Sequence, residues 1–398
     1  MNEYPINSRD RDRWIVAQRP VRHAVDPWRP YAFLVEQERA ESGEVVPVTT
    51  IFLTNRECPW RCLMCDLWKN TLTETVPLGA IPAQIDYALS ELRGSHRAEY
   101  AFGAGMGLPL SVRNERGEGR GEGDPTADTL AHLPARRPSS PQPSPPSEGG
   151  EGEQPGAQNR YPSTGERVNH AATIRQIKLY NSGSFFDPQA IPTADHPAIA
   201  GRVRPFERVI VECHPALVNE RVLQFRDLLA GKLEVAMGLE TAHPEVLERL
   251  NKRMTLEQFA QAAEFLRKNE IALRVFILVK PPFLDEAEGP HWAKRSLDFA
   301  FDCRATVASL IPTRLGNGAL EALAADGAFS PPKLATFEAV MNYGVGLQRG
   351  RVFADLWDLE KCSECAGCFD ARRGRLAEMS LTQSVRPAIV CAKCAGRA

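Results

Sequence analysis

The chain predicts an α/β protein built on a partial (β/α)6 parallel barrel, and three observations carry that prediction. Six short apolar, β-branched runs recur along it: Val46 to Leu53, Ile174 to Tyr180, Arg208 to Glu212, Leu233 to Leu239, Leu273 to Val279 and Val307 to Pro312. Between them lie segments with apolar residues at helical spacing, among them Ile81 to Leu92, Asn219 to Leu229 and Leu256 to Asn269. Apolar strands alternating with such helices bury a parallel sheet beneath the helices. The third observation is a cysteine-rich loop directly after the first run, in the strand-to-helix connection where α/β folds place their chemistry.

Taken in order, residues 1–45 read as an N-terminal extension in which Arg19-Pro-Val-Arg22 and Asp26-Pro-Trp-Arg-Pro-Tyr31 break regular structure. The barrel occupies residues 46–350. Residues 111–171 interrupt it with Gly, Glu, Pro and Ser and almost no large apolar side chains. Such a composition cannot bury enough surface to offset the entropy of ordering, so the segment predicts a disordered insertion, with a proline-rich docking site as the alternative. Residues 351–398 form a cysteine-rich module.

Composition sets outer bounds. At 398 residues, with 43% hydrophobic content and a formal charge of −2, the chain can bury a large core and has no excess of one sign. Its polar, arginine-rich start lacks a signal peptide or membrane span, and ten cysteines in such a chain point to metal ligation in a reducing compartment. The expected location is the cytoplasm, with no membrane partner.

Cys58, Cys62 and Cys65 stand at x3 and x2 spacing. Three thiolates so placed can wrap three corners of a 4Fe–4S cubane and leave one iron open to a ligand. An open iron of this kind can take the amino and carboxylate groups of S-adenosyl-L-methionine, whose one-electron cleavage gives a 5′-deoxyadenosyl radical. A structural zinc site and plain buried or disulfide cysteines are the alternatives, although zinc favours paired knuckles that this loop lacks.

With its neighbours, the loop resembles the radical S-adenosylmethionine superfamily, and within it the branch sharing a core with elongator-type acetyltransferases and tRNA methylthiotransferases. Met237 to Thr255 resembles that branch's fourth-strand segment, and Arg274 to Phe283 its fifth strand. Cys65-Asp-Leu-Trp-Lys-Asn-Thr71 and Ile277-Leu-Val-Lys-Pro-Pro-Phe283 are most similar to archaeosine-synthase radical subunits and their bacterial relatives. The resemblance runs from about Arg19 to about Leu323, the insertion excepted. It implies a 4Fe–4S cluster, S-adenosyl-L-methionine, an electron donor of ferredoxin or flavodoxin type, and tRNA as a partner. Two departures stand out. Met64 takes the place of the usual aromatic residue before the third cysteine, and Tyr180-Asn-Ser-Gly-Ser-Phe-Phe-Asp187 replaces a Gly-Gly-Glu run.

Asn181, Ser182, Gly183 and Ser184 are therefore candidates to meet the methionine end of the cofactor through backbone and hydroxyl groups, with a plain turn as the alternative. Glu240, ending its strand, is a candidate for the ribose or amino group. Arg274 and Lys280 could meet a carboxylate or phosphate, and the glycines of Pro312 to Gly318 could let backbone approach a ligand. Cys213 and His214 read as scaffold.

A second thiol group lies in the tail: Cys362, Cys365 and Cys368, then Cys391 and Cys394. Cys365, Cys368, Cys391 and Cys394 have the paired spacing that suits tetrahedral zinc, whereas the run of three with a ligand from the second pair suits an auxiliary iron–sulfur cluster. From Lys361 onward seven Lys or Arg face three acids, which suits a polynucleotide or simply a solvated surface. The expected function is radical modification of a tRNA nucleobase; a small-molecule substrate or a non-catalytic cluster scaffold are the alternatives. Nothing after residue 323 resembles an acetyl-coenzyme A domain.

Overall fold

Each β-branched run expected to form a strand does so. The computed structural model describes residues 4–95 and 175–395, so the insertion expected at 111–171 lies outside the described residues. Eight strands form one sheet in chain order: β1 (Ala32–Arg39), β2 (Val45–Phe52), β3 (Gln176–Tyr180), β4 (Arg208–Glu212), β5 (Lys232–Glu240), β6 (Ala272–Val279), β7 (Val307–Pro312) and β8 (Arg351–Ala354). β1 runs antiparallel to β2, and every later pairing is parallel. The helices are α1 (Ser8–Ala17), α2 (Ala80–Ser95), α3 (His196–Val203), α4 (Glu220–Arg226), α5 (Pro244–Arg249), α6 (Leu256–Lys268), α7 (Glu288–Asp302), α8 (Ala319–Ala325), α9 (Leu334–Gly346), α10 (Ala366–Thr382) and α11 (Ala392–Ala395).

The expected six strands are β2 to β7, and the sheet carries one more at each edge. The two stretches expected to break regular structure, Arg19 to Arg22 and Asp26 to Tyr31, carry no helix or strand, and they lie between β1 and α1, whose first turn is capped by Asn7 accepting from the Asp10 N–H. β8 begins just past the expected barrel boundary at residue 350. The two edge strands do not pair; α10 packs against both.

Alternation along the strands separates two faces. Ile51, Ile177, Leu179, Val209, Val211, Val235, Val275, Ile277 and Leu310 are fully buried in one apolar cluster that includes Ile81, Ile85, Phe259, Leu297 and Phe337 from the covering helices. Their neighbours, Thr50, Lys178, Glu234 and Arg274, face the lumen. Contacts between strands that are not adjacent prove the curvature: Arg274 on β6 bonds Glu38 on β1 at 3.0 Å, and Tyr180 on β3 lies 5.9 Å from Phe276 on β6. The sheet is therefore a barrel left unpaired between β1 and β8.

Charge fills the lower lumen. Arg274 donates to Glu234 at 2.8 Å and to both oxygens of Glu38, Lys178 reaches Glu36 and Glu38, and Arg208 joins Glu234 to Glu41. Arg274 and Lys178 are buried, and each bonds two carboxylates. This assigns Arg274 to the barrel floor, correcting its reading as a group free to meet a carboxylate or phosphate ligand. Lys280 is likewise engaged, donating to Ser330 and lying 3.2 Å from Glu286.

Candidate functional site

Phe52 ends β2, and the chain then enters the cysteine loop at the mouth of the barrel. Leu63 plugs that loop into a second apolar cluster with Leu250, Leu278, Leu320 and Leu323, and its N–H bonds Leu250 O at 2.9 Å. Asn317 donates to Leu63 O and Cys65 O at 2.7 and 3.3 Å, while Asn251 donates to Arg61 O at 2.8 Å. The Pro312 to Gly318 loop thus holds the cysteine loop. Its Gly318, at φ 84°, sits against the carbonyl of Gln18, so the close backbone approach there is to the chain's own N-terminal segment.

That segment does more than precede the barrel. Arg19, Arg22 and Arg61 converge on Glu57 at 2.7, 2.6 and 2.9 Å, one residue before Cys58. Arg19 also lies 4.5 Å over the Trp68 ring, and Arg22 donates to the carbonyls of Trp68 and Thr71. Burial pushes the Glu57 carboxyl up, but hydrogen bonds from Arg19 and Arg22 outweigh it and hold it below the usual carboxylate range. Stacking and charge-assisted bonds fix the loop from outside.

The three thiols are pushed up by burial, Cys65 to about 12, and Cys62 additionally feels Lys252 pulling down. Left to themselves such thiols stay protonated, so holding them as thiolates demands a strong local cation, as a bound metal supplies. Three half-buried thiols on one fixed loop fit the donor set of a cubane with an open corner.

Asn181 to Ser184 comes up against this loop from β3. A Cβ on Gly183 would lie 3.1 Å from the Cys58 Cβ, so glycine is what lets the two segments meet. The backbone donors expected to face a ligand are partly spent: Glu212 accepts from the N–H of Asn181 and Ser182 at 2.8 and 3.0 Å. Burial raises Glu212 to about 7 against those same amides. Ser182 Oγ meets Tyr31 Oη at 3.2 Å, and Ser184 Oγ accepts from the His214 N–H at 2.8 Å. The Asn181 side chain is fully buried with no partner for either of its polar atoms among the described residues. A buried amide without a partner costs free energy and marks a place where a ligand can bond.

Glu240 ends β5 at φ 65°, next to a register shift after Gly238, and Lys252 bonds it at 2.5 Å. Burial pulls the Lys252 ammonium down, but Glu240 and the Cys62 and Cys58 thiols pull it up more strongly. His214 is scaffold in its contacts. Its Nε2 pairs with Lys252 O at 2.9 Å, its Nδ1 accepts from the Ala216 N–H, and its ring stacks on Trp60 at 3.9 Å. Burial drives it down to about 3, so it is neutral at physiological pH. Cys213 beside it is buried and raised by that burial.

Sequence reasoning passed over Glu212, Lys252, Tyr31 and Trp60. Lys252 stood inside the Met237 to Thr255 segment and Glu212 at a strand end facing the lumen; those positions were the available signal.

The tail cysteines divide. Cys365, at the N-cap of α10, Cys368 within it, and Cys391 and Cys394 at α11 bring their sulfurs within 4.8 Å of one another. Cys362 stands apart from this group, buried in the main apolar cluster and raised to about 11 chiefly by that burial. The gathered four are the set expected for tetrahedral zinc, and Cys362, expected among the ligands, lies outside it. The tetrad shares its charge unequally. Contacts with Cys394 and the Gly367 N–H draw Cys365 down to about 7, whereas Cys394 rises to about 12 against its three partners. Cys368 and Cys394 are 3.7 Å apart, and thiolates about 2.3 Å from one tetrahedral zinc would stand ~3.8 Å apart. Among the described residues four of the six tail cations are ion-paired: Lys361, Arg372, Arg375 and Arg386. Among the described residues no helix is long and apolar enough to cross a membrane.

No family model matches the chain. It is 31% identical over 164 residues to the archaeosine synthase subunit beta of Methanosarcina acetivorans, covering 40% of this chain and 47% of that protein. It is 32% identical over 127 residues to the subunit of the same name in Thermococcus kodakarensis, covering 30% and 39%. The chain thus spans less than half the length of either curated relative. Among solved structures, an N-terminally truncated archaeal Elp3 of Methanocaldococcus infernus aligns over 52% of this chain and 55% of its own, at 13% identity and a TM-score of 0.40. The fixed three-cysteine loop at the mouth of the parallel barrel and the matches to the two archaeal subunits support a radical S-adenosylmethionine superfamily assignment.

Proposed function

We propose that the chain is an enzyme that holds a 4Fe–4S cluster through Cys58, Cys62 and Cys65 and acts on a nucleobase of tRNA. The observation that carries this reading is the packing of Gly183 against Cys58, which joins the three-thiol loop to a segment bearing an unpartnered buried amide. When bound, the cluster and S-adenosyl-L-methionine supply one-electron reductive cleavage to a 5′-deoxyadenosyl radical, given an electron donor of ferredoxin or flavodoxin type.

This chain's residues orient and shield. Asn181 offers one amide donor and one acceptor to the methionine end of the cofactor. Ser182 and Gly183 hold position because Glu212 fixes their backbone, and Ser184 braces His214 from the next strand end. Lys252 and Glu240 present a charged pair beside Cys62, with Lys252 directed to a carboxylate and Glu240 to an amino or hydroxyl group. Asn181, Glu240 and Lys252 are themselves buried, so these groups are kept from bulk water. The tail tetrad reads as a structural zinc site that ties α11 to the start of α10, since its sulfur spacing suits one ion.

Support for tRNA comes from the names of the two archaeal relatives, and for the location in the cytoplasm from cysteine usage. Anaerobic reconstitution with dithionite tests the core claim. Production of 5′-deoxyadenosine by the wild type and its loss in Cys62→Ala are expected; equal product from both would refute it. Comparing tRNA nucleosides from a strain lacking the gene with its parent tests the substrate, and identical nucleoside profiles would remove tRNA.

A further inference from the structure

The lumen changes character above its ionic floor. On the strands that supply Lys178 and Arg274, two residues further toward the cysteine end, stand Tyr180 and Phe276; Phe52 stands in the same relation to Thr50 on β2. Phe52 lies 5.7 Å from Tyr31, 6.1 Å from Tyr180 and 5.9 Å from Trp357, and Tyr180 lies 5.9 Å from Phe276. Tilted and edge-on contacts of this kind make an aromatic wall. None of these five rings is fully buried, and Trp357 is 39% exposed, whereas the outward neighbours Ile51, Leu179 and Ile277 are fully covered. A barrel that buries its aliphatic side chains completely while leaving a run of aromatic ones open is leaving them for something.

Charge narrows what that is. Directly beneath the rings, Lys178 and Arg274 are spent on Glu36, Glu38 and Glu234, so the floor offers no spare charge to an entering ion. A flat, uncharged, π-rich group satisfies both the wall and the floor. The rings also belong to the cysteine end of the barrel, because Tyr31 bonds Ser182, whose neighbour Gly183 touches Cys58. Trp357 is held at the rim, where Arg314 donates to its carbonyl and bonds Asp355 at 2.6 Å.

We infer that Tyr31, Phe52, Tyr180, Phe276 and Trp357 form the pocket that receives the reacting heterocycle, a single nucleobase unstacked from its polynucleotide and laid against ring faces beside the three-thiol loop. The inference rests on the tRNA reading above and adds to it the residues that select a planar base. Extruding a base costs unstacking free energy, and aromatic faces are what return it. Trp357, the most exposed of the five, takes the first contact at the rim; Phe276 lies deepest along the run of rings.

The test uses the full chain, anaerobically reconstituted, and bulk tRNA from a strain lacking the gene, with binding measured at moderate salt so that phosphate contacts do not mask the base. Trp357→Ala is expected to weaken binding roughly 5- to 150-fold, the factor that corresponds to stacking one base. Trp357→Phe is expected to recover most of that loss, and Phe276→Leu, which keeps apolar volume, to weaken binding several-fold. Iron content and thermal midpoint of each variant report whether the fold is intact. Wild-type binding that neither Trp357→Ala nor Phe276→Leu alters would overturn the pocket and leave the tRNA reading standing. Wild-type protein that ignores tRNA would overturn that reading first, and the nucleobase assignment with it.

Discussion

Arg274→Met should cost the protein about 3–4 kcal/mol at pH 7, and the cost should shrink as pH falls. Arg274 is 1% exposed and bonds Glu38 at 3.0 and 3.1 Å and Glu234 at 2.8 Å. Methionine fills similar space without charge, so the floor loses one of the three cations, Arg274, Lys178 and Arg208, that bond its carboxylates, and both Glu38 and Glu234 lose a partner. Breaking a buried pair in this way typically costs about 3–5 kcal/mol. A ceiling follows from titration, since the orphaned carboxylate escapes by taking a proton, and protonating an ordinary glutamate at pH 7 costs roughly 3.7 kcal/mol.

In the wild type, burial pushes Glu38 up, but Arg274 and Lys178 more than reverse this and hold it at about 2. Its contribution is therefore present above the unfolded value of about 4.3 and is lost as pH falls toward 2. The variant behaves oppositely between pH 4.5 and 7, because its native state binds one proton more than its unfolded state and so loses stability as pH rises. The difference between the two proteins should fall by about 1.4 kcal/mol per pH unit on going from pH 7 to pH 5.5. Urea unfolding at both pH values measures it. Arg274→Met/Glu234→Gln should recover more than half the loss. A cost under about 1 kcal/mol at pH 7, or one that does not change at pH 5.5, would refute the account of the floor as a charge-matched plug.

Other consequences are open to direct measurement. Cys394→Ser should lower the zinc content of the purified protein well below one per chain while leaving iron unchanged, and Cys362→Ala should leave both unchanged; zinc lost equally from the two variants would return Cys362 to the ligand set. Arg19→Ala removes a buried charge-assisted bond to Glu57 worth about 1.5–3 kcal/mol, so it should loosen the cysteine loop and speed iron loss to a chelator. Unchanged chelation kinetics would dismiss the N-terminal clamp. Gly183→Ala forces a Cβ to 3.1 Å from that of Cys58, and lower iron retention after reconstitution is expected, with full retention counting against the contact. His214, held down to about 3 by burial, should show no ring titration by NMR between pH 5 and 8; a midpoint near the ordinary histidine value would contradict its placement.

How much of this was legible in the sequence depends on whether neighbouring residues or distant ones decide it. β2 to β7 were legible because each is a short β-branched run with its outward positions apolar, and the helices between them repeat at 3.6. β1 was not, because Ala32-Phe-Leu-Val-Glu-Gln-Glu-Arg39 points Glu36 and Glu38 into a lumen whose cations lie more than a hundred residues away. A strand that is charged on its inner face looks like a linker until its partners are known. β8 spans only four residues, too few to show any period. The three-thiol loop was legible because ligand spacing is local, and so was the presence of a second thiol group. Which four of its five cysteines gather was not, because 362, 365 and 368 repeat at equal spacing and only folding sends Cys362 into the core. Glu212 and Lys252 escaped notice for the same reason: one works through amides on the preceding strand, the other through thiols nearly two hundred residues earlier.

The division of the inner face into a charged lower layer and an aromatic upper layer constrains how a ligand can use the lumen. Lys178, Arg208 and Arg274 are each already bonded to carboxylates, so the floor offers no free cation to a ligand, and the aromatic layer lies toward the end that carries the cysteines. That end is also where the N-terminal segment, the Pro312 to Gly318 loop and the Asn181 to Ser184 turn converge on the thiols. The stability of the plug and the selectivity of the pocket are then coupled through shared strands. A floor variant such as Arg274→Met should disturb the registry of Phe276, two residues along β6, and so weaken tRNA binding even where the fold survives. Tight tRNA binding by a folded Arg274→Met protein would show that the two layers act independently.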